Sequence, residues 1–176
     1  MFSRILALLP LVSLAVANPL VARSEVDALK SALDGMASTV GDISTAVDAF
    51  ESNVDSTHAF AVGSASQKLD NQIKEAIPLV PTHVVSDADG ETICAAFTDF
   101  LPSLVDAFDK IVGCKSDFVA VHVVPFVCQI VEELAKDNAV FVSDLMAATP
   151  SAYKDCAQEL SDTVSAETAK VQAAYC

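Results

Sequence analysis

The residues of this sequence that could carry catalysis are three histidines and a serine between small residues. His58, His83 and His122 lie far apart in the chain. His122 lies in the apolar segment 119–123, where we expect a hydrogen-bonded core or boundary histidine rather than a base. The segment 63–66 (GSAS) lacks the second glycine and the preceding strand of a nucleophile elbow. No pair of acids is marked for general acid–base work. The sequence therefore predicts a protein that is not an enzyme and has no cofactor.

The cysteines are the second group of residues that could carry a chemical function, and all of them lie in the second half of the chain. The gaps between consecutive cysteines are 20, 14, 28 and 20 residues, so none forms the close pair of a zinc or thioredoxin-type site. In an oxidising compartment, five cysteines are expected to form two disulfides and leave one thiol. We therefore predict structural disulfides and no metal site. The five residues are Cys94, Cys114, Cys128, Cys156 and Cys176.

The charge of the chain excludes two classes of partner. Ten Lys and Arg stand against 24 Asp and Glu, which gives a net charge of −14. A nucleic-acid-binding protein needs a basic face that neutralises phosphates, and scattered cations do not supply one. Anionic membrane surfaces are disfavoured for the same reason. The acidic excess is expected to keep an apolar-rich chain soluble.

Residues 1–17 have the pattern of a secretory signal peptide. Arg4 precedes the apolar run 5–12, and the segment ends in the small residues Ala15 and Ala17, which predicts cleavage before Asn18. A membrane anchor is the alternative, but the apolar run is shorter than the roughly 20 residues of a spanning helix, and Pro10 interrupts it. No later segment is long and apolar enough to span a membrane. Residues 18–176 are therefore predicted to form one secreted, extracellular domain.

Residues 24–55 carry an apolar residue at every third or fourth position, which predicts one face of a helix of about 30 residues. Such a stripe is also typical of a dimeric coiled coil. The flanking positions are mostly small, as at Ala32, Ala37 and Ala46, and therefore favour packing within one chain and a monomer. The stripe comprises Val26, Leu29, Leu33, Met36, Val40, Ile43, Val47, Phe50 and Val54.

Four further helices are predicted, over residues 56–80, 87–112, 116–145 and from about 151 to the C-terminus. Pro102 lies inside the third, where a kink or a broken hydrogen bond is expected. The valine-rich stretch 118–131 could instead form a buried strand, but Pro125 and the helical period continuing to Leu145 favour a central helix. With only five glycines and no hairpin dipeptide, the chain is predicted to be all-α, an up-down bundle of about five helices stapled by disulfides.

This arrangement suggests a pairing for the cysteines. The third and fifth helices of an up-down bundle run parallel, and Cys94 to Cys114 and Cys156 to Cys176 each span 20 residues, about 30 Å of helix. Our hypothesis is that Cys94 bonds Cys156 and that Cys114 bonds Cys176. Cys128 would then remain buried and free.

The phenylalanines cluster in the third and fourth predicted helices, and they allow two interpretations. They could form an ordinary packed core. Alternatively, Pro102 and Pro125 could loosen the packing and open an apolar slot between helices, which is where bundles hold ligands. The residues predicted to line such a slot are Phe97, Phe100, Leu104, Phe108, Phe126 and Ile130.

Several stretches together resemble one fungal family. They are SEVDALKSALDGMASTVGDISTAVDAF, QKLDNQIKEAI, VSDADGETICAAFTDFLPSLVDAFDKIVGCKSDF and VEELAKDNAVFVSDLM. The spacing of apolar and small residues in these stretches resembles that of the fungal hydrophobic surface-binding protein A family, which includes cell-wall galactomannoproteins. The resemblance implies a secreted helical bundle that adsorbs to hydrophobic surfaces and recruits a secreted polyester-degrading hydrolase. For the galactomannoprotein relatives, it implies fatty-acid binding in the bundle interior and association with the cell wall. It carries no functional residue over, because no motif is shared.

We therefore predict a non-enzymatic secreted protein that binds a fatty acid or another apolar ligand, or adsorbs to a hydrophobic surface. A pocket binder would enclose an acyl chain between helices, whereas a surface adsorber would swing amphipathic helices outward. Disulfides that join two helices would favour the pocket. The alternative from another class is a structural cell-wall protein that acts through helix–helix association.

Overall fold

A computed structural model describes the backbone of residues 19–176 and the side chains from residue 25 onward. The predicted signal peptide, residues 1–17, lies outside the described residues. The described chain is entirely helical apart from its connections, which confirms the all-α prediction. The six helices are α1 (Pro19–Ser52), α2 (Ser56–Ala76), α3 (Asp87–Gly113), α4 (Lys115–Ala120), α5 (Val124–Ala148) and α6 (Lys154–Tyr175), with short 3-10 turns at Ile77–Leu79 and Ser151–Tyr153.

Five of these helices form a closed ring. Its main contacts join α1 to α2, α2 to α5, α5 to α6, α6 to α3 and α3 back to α1. Helices α1, α3 and α6 run in one direction, and α2 and α5 run in the other, which confirms the up-down order. The short helix α4 lies at the end where α1, α3 and α6 finish, here called the α4 end. No helix of the described chain is long and apolar enough to cross a membrane.

The predicted stripe of the first helix is buried inside the chain itself. Eight of its nine members, from Val26 to Phe50, are no more than 2% exposed. The ninth, Val54, is 44% exposed, because α1 ends at Ser52. The helix also begins earlier than predicted, at Pro19 rather than at residue 24. Because this apolar face is covered by α2 and α3, it is not left free to pair with a second chain.

Side-chain caps explain where two of the helices begin. The Asp55 carboxylate accepts a hydrogen bond from the His58 backbone N–H at 2.9 Å and so caps α2. This bond and the His58 ring beside it hold the pKa of the Asp55 carboxyl below its usual value. The Ser86 hydroxyl accepts from the Asp89 N–H at 3.3 Å and caps α3. Each cap satisfies a backbone donor that has no partner within the first helical turn.

The predicted central helix from residue 116 to 145 is wrong in one respect, because the chain breaks between α4 and α5. His122 has a φ of 61° and donates its N–H to the Val119 carbonyl at 3.1 Å, while the Val123 N–H donates to the Phe118 carbonyl at 3.2 Å. This is a Schellman ending. An unbroken helix would press the ring of Pro125 against the carbonyl of residue 121, so the helix stops and restarts with the proline in its first turn. His122 is exposed rather than a core or boundary residue.

Two disulfides join the helices, and one of them differs from the predicted pairing. Cys94 is bonded to Cys156, which links α3 to α6 with a Cα–Cα distance of 6.3 Å. Cys176 is bonded not to Cys114 but to Cys128 on α5, with a Cα–Cα distance of 5.2 Å. Cys114 is therefore the free thiol, and the prediction that Cys128 would be free is wrong.

The orientation of Tyr175 explains this difference. Its hydroxyl donates to the Ile111 carbonyl at the end of α3, and its ring packs edge-on against Phe118, with centroids 5.7 Å apart. Tyr175 thus occupies the side of α6 that faces α3. The next residue of a helix is turned by about 100°, so Cys176 points toward α5 and Cys128.

Candidate apolar ligand-binding site

Two small apolar cavities lie on the axis of the helix ring. The first, cavity A, has a volume of about 30 Å³ and lies toward the α4 end. All six helices contribute to its wall. The wall consists of Ile43, Val62, Ser66, Leu69, Phe108, Ile111, Phe118, Val127, Ile130, Val131, Leu134, Thr168 and Val171.

The second cavity, cavity B, has a volume of about 20 Å³ and continues the same axis toward the opposite end. Leu69 lines both cavities. On α1, Ile43 lines cavity A and Met36 lines cavity B, and seven residues of helix correspond to about 10 Å along the axis. The wall of cavity B consists of Met36, Leu69, Ile73, Phe97, Phe100, Leu104, Asn138, Phe141, Val142, Leu160 and Val164.

The structure divides the predicted slot residues between three places. Phe108 and Ile130 line cavity A. Phe97, Phe100 and Leu104 line cavity B. Phe126 lines neither cavity and lies half-buried at the seam between α2 and α5, where its ring packs against that of Phe60.

The sequence analysis missed the share of the wall that comes from α1, α2 and α6. Met36 and Ile43 belong to the predicted apolar stripe of α1, and Leu69 and Ile73 continue the period of α2. The apolar stripes of α1 and α2 were therefore the sequence feature that could have identified these wall residues. The prediction took its lining residues from the third and fourth predicted helices alone, whereas a closed ring makes every inward-facing stripe part of the wall.

Both cavities are far smaller than a bound lipid. Ligand pockets in proteins have volumes of roughly 300–1,000 Å³, whereas a single water occupies about 30 Å³ of liquid. An acyl chain could therefore reach the axis only if side chains turn and helices move apart. The cavities mark where the packing is already incomplete along that path.

The walls carry no charged side chain, and their few polar groups are largely satisfied. The Ser66 hydroxyl donates to the Val62 carbonyl at 2.9 Å, and the Thr168 hydroxyl donates to the Val164 carbonyl at 2.7 Å. The amide of Asn138 adds one polar group to the wall of cavity B. A lining of this kind favours the apolar chain of a ligand.

Two buried weak acids near cavity A, the thiol of Cys114 and the phenol of Tyr175, are held in their neutral forms. The Cys114 thiol is 1% exposed and donates to a Glu51 carboxylate oxygen at 3.3 Å. Burial, reinforced by Glu51, raises the pKa of this thiol to about 12. Burial likewise raises the pKa of the Tyr175 phenol well above its usual value. Neither group therefore brings a charge to the axis at neutral pH.

The described residues bring together one cluster that resembles a metal site, formed by Cys128, Glu132 and Cys176. Both of its sulfur atoms are used in the disulfide. A disulfide sulfur is not a thiolate and does not bind a metal as one. This cluster therefore adds no metal-binding function to the site.

Comparison with known proteins agrees with this architecture. The chain is 29% identical to a cell wall galactomannoprotein of Armillaria ostoyae over 177 aligned residues, which cover 100% of this chain and 92% of that relative. The fold is similar to that of Afmp4p in complex with palmitic acid, with a TM-score of 0.68, 18% identity, and coverage of 90% of this chain and 100% of the other.

It is also similar to ligand binding domain 2 of the Penicillium marneffei MP1 protein complexed with multiple arachidonic acids. That match has a TM-score of 0.64 and 16% identity, and it covers 91% of this chain and 97% of the other. At these identities the two solved structures show a shared fold. The sequence model of the family described as hydrophobic surface binding protein A matches residues 26–147, which is more than half of the chain. The chain therefore belongs to the hydrophobic surface binding protein A family.

Proposed function

We propose that this protein binds the acyl chain of a fatty acid along the axis of its helix ring. The observation that carries the proposal is the pair of apolar cavities A and B, which lie in line and share Leu69. Two proteins of the same fold are described in complex with palmitic or arachidonic acid. The uncharged walls of both cavities provide an environment that such a chain prefers to water.

The disulfides support a pocket rather than complete opening on a surface. Helix α6 is bonded to α3 near one end and to α5 at the other. These three helices therefore cannot separate fully, and their apolar faces cannot all be laid on a surface. Helices α1 and α2 carry no cysteine, so any adsorption to a hydrophobic surface would use this pair while the remaining three stay together.

The setting of this activity is also part of the proposal. Residues 1–17 direct the chain out of the cell, and residues 18–176 act as one extracellular domain and as a monomer. A galactomannoprotein of the cell wall is among its relatives, which supports a location in or near the wall. The protein carries its ligand without catalysis. Recruitment of a secreted hydrolase is a further prediction from the family resemblance.

Native mass spectrometry of the secreted, purified protein tests the proposal, followed by organic extraction and a titration of the stripped protein with palmitic acid. We expect an added mass of one fatty acid per chain, and saturable rebinding after extraction. An empty monomer that fails to bind palmitic acid but is depleted from solution by a hydrophobic solid would instead indicate surface adsorption. Concentration-dependent oligomers without a ligand would indicate the structural alternative.

A further inference from the structure

The ring has five seams between neighbouring helices, and a ligand that reaches the axis must pass through one of them or past an end. Two seams are closed covalently, α3–α6 by Cys94–Cys156 and α5–α6 by Cys128–Cys176. No cysteine precedes residue 94. The seams formed by α1 and α2 are therefore held by non-covalent contacts alone.

Charged side chains line the α1–α3 seam. The groove along it is lined by Lys30, Asp34, Glu91 and Asp99 among others, and Lys110 on α3 lies 2.8 Å from Asp48 on α1. An acyl chain that crossed there would strip water from these charges, which is unfavourable.

The α1–α2 seam belongs to a hairpin with a connection of only three residues, from 53 to 55. An ion pair also ties its two helices, since Lys68 lies 2.9 Å from Asp42. Both the short connection and the ion pair oppose separation of α1 from α2, which leaves the α2–α5 seam. This seam also carries an ion pair, since Lys74 on α2 lies 3.3 Å from Asp137 on α5, but that pair lies toward the end opposite α4. The half of the α2–α5 seam near the α4 end is therefore the candidate.

The α2–α5 seam is apolar near the α4 end and lies directly over cavity A. A Cβ atom at Gly63 would overlap the ring of Phe126 and lie 3.3 Å from Cδ1 of Ile130. The Phe126 ring therefore packs directly against the α2 backbone at Gly63. Ile130 and Val62, which adjoin this contact, both line cavity A.

An aromatic side chain stands on the outer side of the same contact. Phe60 is 51% exposed and is the one exposed phenylalanine or tyrosine among residues 25–176. Its ring centroid is 5.4 Å from that of Phe126, in an edge-on arrangement. The seam thus presents a continuous apolar route from solvent at Phe60, past Phe126, to cavity A.

We propose that acyl chains enter cavity A through the α2–α5 seam and that the ring of Phe126 is the gate. This inference rests on the proposed function. Because Gly63 has no side chain that interlocks with the ring, Phe126 can turn outward toward Phe60, and the helices then separate as the acyl chain advances along the axis. A gate one ring wide admits a single linear acyl chain and excludes a rigid polycyclic lipid such as a sterol.

Stopped-flow fluorescence with cis-parinaric acid, a linear fluorescent fatty acid, tests the gate on the stripped full-length secreted protein. The Phe126→Ala variant should raise both the association and the dissociation rate by about tenfold or more and change Kd by less than about threefold, since a gate alters the barrier more than the end states. The Phe60→Ser variant replaces a half-exposed side chain and should slow association by about threefold. Val140→Ser is the matched control, because Val140 is 43% exposed on α5 and lines neither cavity.

The outcomes separate the gate from the proposed function. If the wild-type protein does not bind cis-parinaric acid, both the proposed function and the gate are overturned. If the wild type binds but Phe126→Ala and Phe60→Ser keep its rates, only the gate is overturned. Equal rate changes in Val140→Ser would overturn it as well. A fluorescent sterol that binds the wild type as fast as the fatty acid would contradict the width of the gate.

Discussion

Replacement of Leu69 by alanine should lower the unfolding free energy of the ligand-free protein and raise its affinity for an acyl chain. Leu69 is 2% exposed, and it is the residue whose side chain lines both cavities. Its truncation joins cavity A and cavity B into one longer space. The ligand-free variant therefore already contains part of the cavity volume that an acyl chain needs.

The expected magnitude for the empty protein follows from the burial of this side chain. Leucine-to-alanine changes in a core cost about 2.7–5.0 kcal/mol, and the cost grows with the volume left unfilled. Existing gaps on both sides of Leu69 limit collapse, so we expect about 4 kcal/mol. For a domain of this size, that loss lowers Tm by about 8–16 °C.

Saturation with palmitic acid should reverse part of this loss. At a palmitic acid concentration of 100 times the wild-type Kd, the wild type gains about 2.7 kcal/mol. Because the chain fills the space that Leu69 left, we expect the variant to bind palmitic acid about 30-fold more tightly and to gain about 2 kcal/mol more at the same concentration. The difference in unfolding free energy between the two proteins should therefore narrow from about 4 to about 2 kcal/mol. Urea unfolding of stripped protein, with and without palmitic acid, measures both values.

The matched control is Leu145→Ala, because Leu145 is also 2% exposed but lines neither cavity. Its loss of stability should be the same with and without palmitic acid. If Leu69→Ala behaves in the same way as this control, the acyl chain does not occupy the axis at Leu69. That result would refute the placement of the ligand, even if binding itself is observed.

Three further predictions concern the covalent and packing features of the bundle. Peptide mapping should find Cys128 bonded to Cys176, and Cys128→Ser should cost about 4 kcal/mol in urea unfolding, from the entropy of a loop that spans 48 residues. Iodoacetamide should leave Cys114 unmodified in the native protein at pH 8, since burial raises the pKa of its thiol to about 12. Gly90→Ala should cost about 1–3 kcal/mol, because a Cβ there would lie 2.6 Å from Cγ of Pro150.

The thiol also predicts a pH dependence with a definite sign. An unfolded cysteine has a pKa of about 8.5, whereas burial raises the pKa of the folded Cys114 thiol to about 12. The stabilisation from the neutral thiol is thus complete below about pH 8.5 and is lost as the pH rises toward 12, because the unfolded chain releases its proton first. Cys114→Ala should show a smaller alkaline loss of stability than the wild type. An equal loss in both proteins would contradict this account of Cys114.

Controls for the remaining variants use positions that the structure leaves free. Gly113→Ala is the counterpart of Gly90→Ala, because a Cβ at Gly113 would meet no atom within 4 Å. It should be neutral or slightly stabilising.

For the disulfide, a tryptic peptide that links Cys114 to Cys176 would contradict the observed pairing. Rapid native alkylation at Cys114 would show that its burial is not maintained in solution.

The sequence by itself determined the helices, because helix periodicity is a property of the local backbone. Eight apolar residues of α1 repeat at three and four positions, and all eight are buried. The start of α3 at Asp87 was predicted as well, because the Ser86 cap at this position involves only the next three residues. Pro125 was assigned to a continuous helix, whereas the chain leaves the helix at His122 and restarts with the proline in the first turn of α5.

The tertiary structure alone decided which helices are neighbours and which way each is turned. Cys176 bonds Cys128 rather than Cys114 because Tyr175 takes the side of α6 that faces α3. Phe126 belongs to the same apolar period as Ile130, yet it lies at a seam while Ile130 lines cavity A. Spacing along one helix cannot distinguish these positions, since the rotation of a helix about its axis is set by contacts with residues distant in the chain.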